Sequence, residues 1–253
     1  AKLFCRGTFR GPAQISASVW RPDTLNAAQQ VHQETGTLIE ASVGILAVTM
    51  LITAIVTRSW LYLAFVGWLL LNMRMAAISA GTDFQLFGYV LNPTLLIEAR
   101  KWTVCMYAAM TTAMFSLLFR EELADIKARV ALTAAQSATM ALTLACFFVS
   151  FEKILVVLWF CVALGVAVGL YYLYKILRLA RSRVALWYSA SIVITLLAGF
   201  SEVIAAFTGE QLLASGLNSV TAAIASALLV SAAVAEHMRV DRREKLEAQR
   251  TLN

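Results

Sequence analysis

Seven runs of apolar residues follow one another along the chain, separated by short polar breaks. They fall at about 38–57, 60–80, 99–119, 129–149, 153–175, 185–207 and 216–236. A helix needs roughly 20 apolar residues to cross the ~30 Å hydrocarbon core of a bilayer, and each run supplies that length. No stretch alternates apolar and polar residues in the ~10-residue segments of a membrane β-barrel. The pattern predicts an all-α membrane protein built as a seven-helix transmembrane bundle.

The two ends differ from this middle. "LFCRGTFRGPAQISASVWRP" predicts two short strands, Leu3–Phe9 and Ala13–Trp20, around a Gly-Pro turn. A lone hairpin is marginal in water, so residues 1–25 are expected to be the end of a larger β-domain outside the membrane. Residues 26–236 then form the seven-helix domain. Beyond it, "EHMRVDRREKLEAQRTLN" carries charges of both signs and no Gly or Pro. Glu236–Arg239 and Glu247–Arg250 stand at helical i,i+3 spacing. Ala235, Met238, Leu246 and Leu252 make an imperfect heptad. The seventh span is therefore expected to continue as a polar exit helix over 237–253. That helix reads either as the start of a signalling coiled coil between two copies or as a juxtamembrane helix on anionic headgroups.

Composition agrees with the pattern: 60% of residues are hydrophobic, 14% are charged, and the mean hydropathy is +0.73. Soluble domains are about 45–50% apolar and about 25% charged. The net charge of +6 does not indicate nucleic acid, because its placement follows the rule that cytoplasmic loops of membrane proteins are basic. One set of loops holds Arg58; Arg120, Lys127 and Arg129; Lys175, Arg178, Arg181 and Arg183; and Arg239, Arg242, Arg243, Lys245 and Arg250. The opposite loops hold Arg100, Lys101 and Lys153. A translocated N-terminal tail counts little, so the N-terminus is predicted periplasmic and the C-terminus cytoplasmic. Trp60 and Trp187 then lie at the inner interface and Trp102 at the outer one, as aromatic belts require. The loop 80–96 is the longest outside connection, and its Phe and Leu content predicts that it folds back on the bundle.

Candidate chemistry is sparse. A retinal protein needs a Schiff-base Lys within its last span, and no Lys lies there. A transporter would show internal repeats and broken midplane helices, and none is evident. His32 and His237 lie outside the spans, and no His, Glu and Asp cluster within them forms a metal or protease motif. No catalytic motif or cofactor site emerges. Cys105, Cys146 and Cys161 read as small packing residues within apolar spans.

Several stretches resemble the bacterial 7TMR-DISM family, the seven-transmembrane receptors with diverse intracellular signalling modules. "ISASVWRPDTL" resembles the last strand of its periplasmic domain. "IEASVGILAVTMLITAIVTRSWLYLAFVGWLLLNMRMAAISAG" resembles its first helical pair, joined by a short Arg-Ser turn. "RLARSRVALWYSASIVITLLAGF" resembles the start of its sixth span, and "SVTAAIASALLVSAAVAEHMRVDRREKLEAQ" its exit helix. The resemblance covers nearly the whole chain as a pattern of spans and loops. It implies a multi-pass sensor of a bacterial inner membrane that relays a periplasmic cue to a cytoplasmic diguanylate cyclase, phosphodiesterase or histidine kinase. These residues contain no motif of such an output module. The readings from other classes are a small-solute transporter and a non-signalling membrane subunit of a larger complex.

Within the spans, ionisable groups are the default functional candidates. Arg74 lies roughly 21 Å along its helix from Trp60, and Glu202 roughly 22 Å from Trp187, at about 1.5 Å per residue. That matched depth makes the pair a candidate ligand or switch site, with Asn72 and Trp102 nearby, or a buried ion pair that fixes packing. Ala223, Ala227, Ser231 and Ala235 recur every fourth residue, a spacing that lets helices approach closely in lipid. They are candidates for packing within the bundle or for a homodimer face. Gln136 and Thr139 read as interhelical hydrogen-bonding groups.

Overall fold

The computed structural model describes residues 41, 43–80, 85–86, 89–90, 92–123, 129–180, 182–208 and 219–252, all within the unit Glu40–Asn253. The β segment expected over 1–25 lies outside the described residues. Seven helices form among those described: α1 Val43–Thr57, α2 Trp60–Ala80, α3 Pro93–Leu118, α4 Arg129–Ala145, α5 Phe151–Ala180, α6 Arg183–Thr208 and α7 Ser219–Leu252. Each coincides with one of the seven apolar runs. A two-residue antiparallel ladder, β1 Gln85–Leu86 with β2 Tyr89–Val90, stands between α2 and α3.

Local chemistry explains several boundaries. α1 stops at Arg58, whose φ of 51° is left-handed and turns the chain away from the helical path. α2 begins two residues later. α3 starts at Pro93 behind Asn92, which is extended. The proline occupies the first turn, where its missing N–H breaks no helical bond. Beyond α4 the chain turns at 146–148, and Lys101 Nζ from α3 donates to the Val149 carbonyl at 3.3 Å. A cation there suits the negative end of α4.

Four helices contain a segment long and apolar enough to cross a membrane: Trp60–Ile78, Lys153–Arg178, Arg183–Ser201 and Thr221–Arg243. The apolar stretches Val43–Thr57 and Val130–Ala145 are shorter. α3 has the length, but Glu98, Arg100 and Lys101 interrupt its apolar character. The exterior supports a membrane setting, because every helix leaves large apolar side chains exposed. Ile45 and Val56 on α1, Val156 and Phe160 on α5, and Leu228 on α7 are all more than half exposed. Soluble monomers rarely show contiguous apolar surface beyond a few hundred Å². The chain is thus an all-helical protein with the surface of a membrane protein.

One buried cluster draws on all seven helices, from Ala47 on α1 through Phe65 and Leu69, Met114, Leu132, Tyr172 and Tyr188 to Val230 and Val234 on α7. A second cluster of Cys105, Leu142, Cys146, Ile154 and Leu158 joins α3, α4 and α5. α7 packs most extensively against α6, and also against α2. α2 comes close to α3 at Gly67, where a Cβ would sit 2.8 Å from Met110 Cε. α5 touches α6 only sparsely, which leaves space between them.

Candidate functional site

The polar groups of the bundle interior collect on α3, where apolar sequence is broken by hydroxyls at four-residue spacing. Thr103, Thr111 and Thr112 each donate to a carbonyl one turn back on their own helix, at 2.8, 2.7 and 3.3 Å. Such back-bonding satisfies a hydroxyl that lipid cannot solvate. Between them, Tyr107 turns towards α2 and donates to Asn72 Oδ1 at 3.4 Å. Asn72 is 5% exposed, and its Nδ2 donates to the Ala223 carbonyl of α7 at 2.9 Å. One asparagine therefore bridges three helices. Beside it, the indole N–H of Trp68 donates to Thr111 Oγ1 at 3.2 Å, and the Trp68 and Tyr107 rings stack at 6.4 Å.

The other face of α3 is bonded to α4. Gln136 Nε2 donates to Ser116 Oγ at 2.7 Å, and the Thr112 and Thr139 hydroxyls are 3.2 Å apart. Nearer the start of α3, Lys101 is buried and pairs with Glu98 at 2.6 Å. Among the described residues, no three His, Cys, Asp or Glu side chains gather as a metal-holding group.

Adjoining the Tyr107 link is a cavity of about 550 Å³. Its wall comes mainly from α3, α5 and α6, with edges from α2, α4 and α7. Tyr107, Trp68 and Thr111 line it, so Tyr107, which donates to Asn72, also faces this space. Trp159 and Leu196 line it too and are 63% and 38% exposed; the cavity reaches the outer surface between α5 and α6. Arg100 is the one charged side chain in its wall among the described residues. No family model, curated protein or solved structure matches the chain.

The residues expected from the sequence do not gather at one place. Asn72 and Ala223 come together through the hydrogen bond between α2 and α7. Trp102 lies five positions before Tyr107, about 140° around α3 at roughly 100° per residue. It packs instead edge-on to Phe147 at 4.0 Å, beside the α3–α4–α5 cluster. Arg74 is half-buried on α2. Glu202 belongs to α6, but its side chain lies outside those described, and so does the pairing of the two. On α7, Ala227 is buried, Ala223 and Ser231 are half-buried, and Ala235 is exposed. The Ser231 hydroxyl donates to the Ala227 carbonyl. Positions every four residues advance about 40° beyond a full turn each time. The stripe therefore drifts off the core face, which is carried by Ala222, Ser226, Ala227, Val230, Ala233 and Val234.

Tyr107, Thr111 and Lys101 were not singled out in the sequence. The available signal was the run Thr103, Tyr107, Thr111 at four-residue intervals, a polar stripe on an otherwise apolar helix.

Proposed function

We propose that the chain is the membrane core of a bacterial inner-membrane sensor of the 7TMR-DISM kind. All seven helices span, the N-terminus is periplasmic and the C-terminus cytoplasmic. A periplasmic ligand biases the packing of the bundle, and α7 delivers the change to a cytoplasmic output domain, a diguanylate cyclase, phosphodiesterase or histidine kinase. The observation that carries this reading is the continuity of α7, a single 34-residue helix. At about 1.5 Å per residue it is about 51 Å long, roughly 20 Å more than a ~30 Å hydrocarbon core requires. Its candidate span, Thr221–Arg243, is tied to α2 through Asn72, and the helix runs on without a break through the charged residues to Leu252. A rod of this kind transmits rotation or displacement, whereas a flexible linker would dissipate it. The cavity wall is largely apolar and opens towards the lipid side, which favours a receptor over a carrier of small hydrophilic solutes.

The relay further uses a homodimer through α7, in which exposed Ala235 and Leu246, eleven positions apart and so on one side of the helix at about 100° per residue, meet their counterparts. Inserting one to four residues after Met238, with a diguanylate cyclase reporter fused at residue 253, is expected to modulate output with a period of about 3.6 residues. Constant output across the series rejects the relay. Light scattering on the detergent-extracted chain is expected to give a dimer that is lost when residues 238–253 are removed. A monomer in both forms rejects the paired exit helices.

A further inference from the structure

We infer that the cavity between α3, α5 and α6 is a binding site for a single-chain carboxylate amphiphile, a long-chain fatty acid lying lengthwise with its carboxylate at Arg100. This inference rests on the cavity alone and stands apart from the relay. The volume, about 550 Å³, falls within the roughly 300–1,000 Å³ of small-ligand pockets. It suits one hydrocarbon chain better than a two-chain lipid. The shape is long: on α3 the wall runs from Arg100 to Phe115, about 22 Å at about 1.5 Å per residue. An extended chain fits that length.

The lining separates by chemistry. At one end stands Arg100, whose five N–H donors can hold a carboxylate in bidentate fashion alongside the contacts it already makes. Away from it the wall is apolar, with hydroxyls such as Thr111 and Thr112 already committed to their own helix carbonyls. Such groups ask for no ligand hydrogen bonds. On α5, Gly165 lines the space, and a Cβ built there meets no atom within 4 Å. The same holds for Gly169. The helix leaves room at two positions where an ordinary side chain would fill it. Water gains nothing from apolar walls, and a dry apolar space of this kind takes apolar ligands.

The probe is palmitate carrying a mid-chain photoreactive diazirine, applied to the full chain in phosphatidylcholine nanodiscs. Labelled residues are then mapped by mass spectrometry. Labelling is expected on Leu155, Leu158 and Val162, which face the cavity. It should be displaced by excess palmitate and not by methyl palmitate. Label spread equally over the outward residues Val156, Phe160 and Leu164, or equal competition by the methyl ester, overturns the inference. The ester result would mean that the space takes any hydrocarbon, including the acyl chains of ordinary phospholipids. Gly165→Leu is expected to cut labelling about tenfold at an unchanged melting temperature. Arg100→Gln should erase the preference for the acid over the ester. A Gly165→Leu protein that melts like the native chain and labels to the same extent also overturns the site. The mapping on the native chain decides the matter if that variant does not fold.

Discussion

Replacing Asn72 tests the link between α2 and α7 most directly. Its Nδ2 makes a short bond to the Ala223 carbonyl, at 2.9 Å, and its Oδ1 a long one from Tyr107, at 3.4 Å. Hydrogen bonds between helices in lipid contribute on average about 0.6 kcal/mol and at most about 1.7. The Ala223 carbonyl keeps the Ser226 hydroxyl at 2.8 Å, so Asn72→Leu orphans no acceptor there. Leucine keeps the branch at Cγ but is bulkier than the planar amide, so the substitution should cost about 1–2 kcal/mol from the lost short bond and some overpacking. Asn72→Ala loses the same bonds and leaves a void, raising the cost to about 2–3 kcal/mol. Asn72→Asp sets a carboxylate against a carbonyl oxygen in a 5% exposed position and should be the worst of the three. The order Leu, Ala, Asp is the signature, read by reversible SDS-induced unfolding followed by tryptophan fluorescence and circular dichroism. A Leu variant within about 0.3 kcal/mol of native, together with a tolerated Asp, would falsify the buried bridge.

Three further outcomes use the same assay. Thr111→Val should cost about 1–2 kcal/mol, because it strands the buried Trp68 N–H, while Thr111→Ser should stay below about 1 kcal/mol; equal losses would place the hydroxyl elsewhere. Tyr172 is 1% exposed and its hydroxyl has no partner among the described residues, so Tyr172→Phe should stabilise by about 1 kcal/mol; a clear loss would reveal a partner for that hydroxyl. Arg58→Gly should raise stability by about 0.5–1 kcal/mol, since glycine adopts the left-handed φ of 51° without a Cβ clash; a neutral or negative result would mean that the turn relaxes or that the arginine head is held.

The seven helices were legible because bilayer-length apolar runs leave few alternatives, and their edges shifted only where local chemistry intervened. α3 begins earlier than its apolar run because Pro93 starts a helix well, and it carries Glu98, Arg100 and Lys101 into regular structure. The interior was less legible. A charge within a span stands out in a sequence, so Arg74 and Glu202 drew attention, whereas the described bridge between α2 and α7 is made by a neutral amide. Asn72 draws notice only as a neighbour of Arg74, and Tyr107 does not stand out in an apolar helix. Only their facing positions on α2 and α3 make them partners, and helix rotation is fixed by packing rather than by hydropathy. The cavity was illegible for a related reason. It exists because α5 touches α6 only sparsely, and so loose a contact leaves no mark in the sequence beyond Gly165 and Gly169, which read equally well as helix-packing glycines.

α3 is where these features converge, and that places a condition on any signal passing through the bundle. Tyr107 and Thr111 join it to α2, Thr112 and Ser116 join it to α4, and the cavity lies along the same helix. A ligand shifts an equilibrium only by its difference in affinity between two arrangements. A molecule in the cavity can reach α7 through Tyr107 and Asn72 only if the two arrangements differ in how α3 sits against α2. The long 3.4 Å contact between Tyr107 and Asn72 is the joint with most room to tighten, since hydroxyl bonds are commonly about 2.7–2.8 Å. Tyr107→Phe keeps the ring that lines the cavity and removes only the hydroxyl, so it should leave stability within about 0.5 kcal/mol of native and reduce fatty-acid labelling less than about twofold, yet abolish the effect of ligand on the reporter output. A larger loss of labelling would mean that the hydroxyl itself holds the ligand, and an unchanged ligand response would remove Tyr107 from the path to α7.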